Sequence, residues 1–149
     1  MKIYRKPSDE VLVKMLDEIS YRVTQCNAEE KPFSSIHNRN YNEGIYVDIV
    51  TKEPLFSSRC KLFTNCGWPS FSATISDDAV REFTHNICGF KFVEVRSKFG
   101  NSHLGHLFND GPKEAGGMRY CINGAALKFV SKEDLVKEGY GEYIKYFEK

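Results

Sequence analysis

Between residues 31 and 130 no apolar pattern lasts long enough for a helix. "GIYVDIV", "CKLFTN", "REFTHNI", "FKFVEVRSKFG" and "RYCINGAALKFV" are short, rich in β-branched and aromatic residues, and bounded by Gly, Pro, Asn and Asp. That is the composition of strands closed by turns. "FVEVR" alternates apolar with polar residues, the mark of a half-buried strand. The pattern predicts antiparallel strands and a mainly β (α+β) domain. The polar stretches "SSIHNRNYNEG" and "FNDGPKEAGG" read as long loops, where function often sits.

Helix signals are confined to the ends. "PSDEVLVKMLDEISYRVTQ" offers Ser8 as N-cap, acids in the first turn and apolar Val11, Leu12, Met15 and Ile19, so a helix is expected from about residue 8. A second short turn follows around Ser20–Gln25, and "NAEEKPF" breaks the pattern. The tail "SKEDLVKEGYGEYIKYFEK" opens with Ser131 and Asp134 at capping-box spacing and is expected to be helical, interrupted by Gly139 and Gly141. At 149 residues the chain suits one domain, 1–149, and can bury about two thirds of its unfolded surface without staples.

Charge narrows the classes of partner. The formal net charge is +1 with no basic stripe or polybasic arm, so neither nucleic acid nor a membrane surface is expected. No run approaches the ~20 apolar residues of a membrane span. "MKIYRKPSDE" turns polar at once, unlike a secretory signal, and the expected location is the cytoplasm.

The five cysteines, Cys26, Cys60, Cys66, Cys88 and Cys121, are odd in number and nowhere spaced C-x-x-C. A zinc knuckle or a dense disulfide framework is therefore not expected. Cys121 stands out. In a strand, residues two apart face the same way, so Arg119, Cys121 and Asn123 share a face. A guanidinium beside a thiol favours the thiolate, the reactive form, and an amide can bind substrate or orient a neighbour. The competing reading is a buried structural cysteine.

His103 and His106 in "NSHLGHLFNDGP" supply acid–base groups near neutral pH. They read equally as satisfied core histidines or half a metal site, although no cysteine pair completes the latter. The single tryptophan, Trp68 in "TNCGWPSF", precedes a proline that disfavours helical backbone. With Phe63 and Phe71 nearby it could wall an apolar pocket or belong to an aromatic core cluster.

"EGIYV" with "PLF", "CGWPSF", "SHLGH" with "F" and "DGP", and "RYCIN" with "LKF" occur in that order. Together they resemble a methionine-R-sulfoxide reductase of the B type, over about Tyr21 to Val130. The resemblance implies a β-tent-like domain of two small antiparallel sheets with N-terminal helices and a short C-terminal helix. It implies Cys121 as nucleophile, Cys66 as resolving cysteine and His103 as general acid. His106, Arg119, Asn123 and Trp68 would bind substrate, with Trp68 against the sulfoxide methyl. The expected substrates are oxidised proteins or peptides containing methionine-R-sulfoxide. A sulfenic acid on Cys121 would condense with Cys66 to a disulfide, which a thioredoxin-like protein would reduce by exchange. Cys26, Cys60 and Cys88 are left as structural or incidental.

Many members of that family carry two C-x-x-C pairs that hold a structural zinc. Here the matching positions are Asp48, Thr51, Ser97 and Gly100, so the resemblance is to a zinc-free member with no cofactor. A binding module on the same scaffold is the main alternative. It has no need of a nucleophile, an acid and an orienting amide together, and Cys121, His103 and Asn123 supply all three. A peroxidase using Cys121 would leave a tryptophan-walled pocket unexplained.

Overall fold

The computed structural model describes residues 3–148. Two helices come first, α1 (Asp9–Met15) and α2 (Glu18–Cys26). Nine strands follow: β1 (Gly44–Asp48), β2 (Pro54–Ser57), β3 (Lys61–Leu62), β4 (Ser70–Phe71), β5 (Val80–Ile87), β6 (Phe90–Ser97), β7 (His103–Phe108), β8 (Arg119–Ile122) and β9 (Leu127–Ser131). They form a three-stranded sheet in the order β2-β1-β9 and a six-stranded sheet in the order β3-β4-β8-β7-β6-β5, all pairs antiparallel. The fold class is the expected one.

The local details differ in instructive ways. α1 stops at Met15, and α2 starts afresh with the Asp17 carboxylate accepting from Ser20 N at 2.8 Å. Of the apolar residues expected to form one stripe, only Leu12 is buried; Val11, Met15 and Ile19 face solvent, and Leu16 fills the inner position instead. The tail forms only 3₁₀ turns, at Lys132–Asp134 and Gly141–Phe147. The left-handed Gly139 breaks it, although Ser131 does bond Asp134 at 3.1 Å.

The core lies between the sheets. Tyr46, Leu55 and Phe56 from the small sheet meet Phe71, Val95, Leu104 and Ile122 from the large one, with Val23 of α2 closing one side. Phe56 stacks on Phe71 with centroids 4.4 Å apart. Such side chains each contribute roughly 1.5–3 kcal/mol on burial. Among the described residues no helix is long and apolar enough to cross a membrane.

A second buried cluster is polar. Asp48, Thr51, Ser97 and Gly100 converge at the ends of β1 and β6. Asp48, fully buried, accepts from Ser97 Oγ at 2.6 Å, Val50 N at 2.7 Å and Ser102 Oγ at 3.2 Å. Glu53 accepts from Thr51 Oγ1 at 2.6 Å and from the Gly100 and Phe99 amides at 2.8 and 3.0 Å. Two carboxylates thus tie the β1–β2 turn to the β6–β7 turn. A Cβ on Gly100 would lie 2.8 Å from Thr51 Cγ2 and 2.9 Å from Asp48 Oδ2, which leaves no room for a larger residue or an ion. These donors do not fit a zinc ion.

Candidate active site

"RYCINGAALKFV" is not one strand. β8 ends at Ile122, Asn123 caps a 3₁₀ turn (Gly124–Ala126), and β9 resumes in the other sheet. Arg119 and Cys121 share a face as expected, but Asn123 leaves the ladder and is buried. Its amide donates to Leu104 O at 3.0 Å and its Oδ1 accepts from Glu30 N at 2.7 Å.

Cys121 sits in the middle of the large sheet, opposite Ser70 of β4 on one side and His106 of β7 on the other. Directly opposed antiparallel residues share a face. Ser70 Oγ lies 3.4 Å from Cys66 Sγ, and Thr64 Oγ1 lies 3.1 Å from it. Pairing β4 with β8 therefore brings Cys66 to Cys121, and each thiol shifts the other's titration. The two are not bonded, and Cys26 and Cys88 lie exposed elsewhere.

The two thiols are unequal. Burial pushes Cys121 up to about 12, Cys66 adds to this, and Arg119 only partly opposes it. Burial also raises Cys66, but the Ser70 and Thr64 hydroxyls outweigh that and hold it below the ordinary thiol value. The guanidinium expected to make Cys121 a thiolate is engaged with Asp110, Nε–Oδ1 2.9 Å, and lies over Phe108 at 4.7 Å. Its Nη1 is buried with no partner.

His103 and His106 are three residues apart, which in a regular strand puts them on opposite faces. The β6–β7 register shifts between Val95 and Arg96. This bulge re-aims a side chain, and the two rings meet at 5.7 Å. Gly105 between them is required by close packing, since a Cβ there would lie 2.0 Å from Cys121 O.

His103 is buried between two carboxylates, Nδ1 to Glu94 at 2.7 Å and Nε2 to Glu29 at 2.9 Å. Burial alone would lower its pKa, but Glu29 and Glu94 outweigh that and raise it. His106 is half-buried; burial lowers it, and Glu29, 3.7 Å from Nδ1, does not offset this. The inner ring is therefore the readier of the two to take up a proton.

Glu29 is the residue the sequence did not reveal. Besides His103, it accepts from Asn123 Nδ2 at 2.6 Å. Its neighbour Glu30 accepts from Ala125 N at 2.7 Å, and the Glu30 carbonyl accepts from Trp68 Nε1 at 3.1 Å. The break "NAEEKPF" thus ties the nucleophile's turn, the histidines and the tryptophan together. Two adjacent acids ahead of a proline are the only signal there. Of the rings expected beside Trp68, Phe71 is committed to the core and Phe63 is exposed beside Tyr41.

The SelR domain family matches residues 16–131, which include both thiols, both histidines and the loop that ties them. The chain accordingly belongs to this family, the B-type methionine-R-sulfoxide reductases, oxidoreductases that return peptide methionine-R-sulfoxide to methionine.

Proposed function

We propose that the chain works through a cysteine sulfenic acid on Cys121 and a Cys66–Cys121 disulfide. The observation that carries this is the position of Cys121, opposite Ser70 of one neighbouring strand, whose hydroxyl holds Cys66 from the loop before it, and opposite His106 of the other. The Cys121 sulfur attacks the sulfoxide sulfur and the oxygen is protonated; the hydroxyl then passes to the Cys121 sulfur as the methionine S–O and S–S bonds break, which releases methionine and leaves a Cys121 sulfenic acid. The Cys66 thiol displaces water from it to form the disulfide. A thioredoxin-like dithiol then restores both thiols by exchange. Trp68 supplies the apolar wall for the methyl group. Arg119 Nη1 supplies a spare donor beside the sulfurs.

The proton source proposed is the His103–Glu29–His106 cluster rather than His103 alone. His103 Nε2 reaches Oε1 and Asn123 Nδ2 reaches Oε2 of one carboxylate, so the two donors point at adjacent acceptor positions. The sulfoxide oxygen can replace Glu29 there. His103 is the readier to take up a proton, and His106 is the ring facing Cys121.

Cys66→Ser supplies the first test. One methionine should form per enzyme, leaving sulfenic acid on Cys121 that dimedone traps, and turnover with thioredoxin should stop. Normal thioredoxin-driven turnover would mean that another cysteine, such as Cys26, resolves the intermediate.

Glu29→Gln supplies the second. His103 faces Glu29, Glu94 and His106, with Asn123 behind Glu29 and His85 and Arg96 beyond Glu94. Removing the Glu29 charge lowers the His103 pKa. If a protonated His103 is needed, wild-type activity falls as pH rises through that pKa, and in the variant the fall comes at lower pH. The loss should therefore be larger at pH 8 than at pH 6, read as kcat/KM. Parallel profiles would remove Glu29 and His103 from the proton path.

A further inference from the structure

The β5–β6 hairpin carries a row of large apolar side chains that the core does not use. Phe83, Ile87, Phe90 and Phe92 are 40%, 57%, 68% and 38% exposed, and Phe108 of β7 is 37% exposed. Their register places them on the face that bears the site. Cys121 pairs with His106, His106 with Glu94, and Glu94 with Phe83. Two residue pairs along, on the same face, Arg119 opposes Phe108. Phe92 comes level with Phe108 beside the Val93–Leu107 pair, and His85 opposes Phe92. Beyond these, Ile87 pairs with Phe90 next to the Cys88–Gly89 turn. Opposed residues in antiparallel ladders share a face, so an aromatic platform runs from beside Cys121 to the tip of the hairpin.

We infer that this platform docks the polypeptide that flanks the methionine sulfoxide, as an extended, apolar, unfolded segment. The inference rests on the reading that Cys121 is the nucleophile. The substrate is a methionine within a chain, so when its side chain enters at Cys121 the main chain must leave across this face. Methionine belongs to apolar cores, and its oxidation to a polar sulfoxide disrupts them. The segments that present a sulfoxide are thus apolar stretches released from packing. A contiguous exposed apolar patch fits such a partner. Strands are about 4.8 Å apart and residues about 3.3 Å apart along them, so Phe90 and Ile87, four residues along from the Glu94–Phe83 pair, lie roughly 16 and 20 Å from Cys121, and an extended chain reaches them in roughly five or six residues. The tip of the platform reads side chains roughly five or six positions from the sulfoxide, on one side of it.

The test compares three substrates with dithiothreitol as reductant. One is a peptide with a single methionine-R-sulfoxide and Leu or Phe about five positions away on either side. The second has Ser at those positions, and the third is N-acetyl-methionine-R-sulfoxide. The wild-type protein should favour the apolar peptide by about tenfold in kcat/KM, the gain expected from burying one apolar side chain. Ile87→Ser/Phe90→Ser should abolish that preference through KM and leave N-acetyl-methionine-R-sulfoxide unchanged. Phe90→Lys alone, with its melting temperature checked, should do the same in part.

Equal loss on all three substrates, or an undiminished preference, would overturn the inference. So would a wild-type dimer that the double variant dissociates, which would assign the platform to a second copy. A defect seen only with thioredoxin would assign it to the reductant. Failure of the underlying assignment would look different, as activity persisting in Cys121→Ser.

Discussion

Replacing Cys121 by Ser is expected to abolish reduction of methionine-R-sulfoxide, a loss of roughly a thousandfold or more. The thiol starts with a handicap, since burial and Cys66 push it up to about 12. The resting group is protonated, and its reactivity depends on what arrives beside it. A sulfur can still give up its proton to the neighbouring cluster and accept the sulfoxide oxygen as a sulfenic acid. A serine hydroxyl has a higher pKa again and no comparable oxidised state, so both halves of the reaction stop. Cys26→Ser and Cys88→Ser, both at exposed positions, should keep full single-turnover activity. The measurement is methionine formed per enzyme without external reductant. Near wild-type yield from Cys121→Ser would move the nucleophile to another cysteine.

Asp48→Ala should cost on the order of 3 kcal/mol of stability. It leaves the buried Val50 amide and the Ser97 and Ser102 hydroxyls without their acceptor, at about 1–3 kcal/mol for each group left unsatisfied, partly relieved where a hydroxyl can turn. For a chain of this size that lowers the melting temperature by roughly 6–12 °C. Asp48→Asn keeps the shape and one accepting oxygen and should lose less. Burial raises the Asp48 pKa above the ordinary carboxyl value despite its three donors. By linkage its contribution is complete below the unfolded carboxyl pKa and declines as pH rises through the folded value. The cluster is satisfied by the chain alone, so chelator should leave the wild-type melting temperature unchanged. A chelator-sensitive transition with stoichiometric zinc would show that these side chains hold a metal.

Much of the fold was legible because strand signals are local. "FVEVR" and "GIYV" announce themselves by alternation and composition, and β5, β6 and β1 lie where they were expected. The short strands Lys61–Leu62 and Ser70–Phe71 carry too few residues for any period, and their pairing is set by the sheet. The tail is helical only as 3₁₀ segments, since the spacing at Ser131–Asp134 fixes one turn and the left-handed Gly139 separates it from Gly141–Phe147. The thiols and histidines of the candidate site could be named from motifs. The proximity of Cys66 to Cys121 could not, since it follows from β4 pairing with β8. Glu29 was invisible for a related reason: a loop carboxylate gains its importance only from donors 74 and 94 residues away. The reading of Arg119 as the group that makes Cys121 a thiolate missed the competition from Asp110 and from burial, neither of which a linear spacing contains.

The shifted register between β6 and β7 bears on how such a sequence can drift. Because the two histidines meet only through one surplus residue left out of the ladder, their partnership depends on how the strand is paired and not just on residue identity. Drawing Leu104 into regular pairing at constant length would turn one ring away from the other, even with both histidines and both cysteines intact, whereas deleting it would leave the rings two residues apart on one face but take a fully buried side chain from the core. Exchanges of one apolar residue for another at that position keep the count and therefore the geometry. The partnership survives a change of length that removes the surplus residue and fails on a change of pairing that absorbs it, so the way this strand is paired is inherited more strictly than its length or composition across His103–His106.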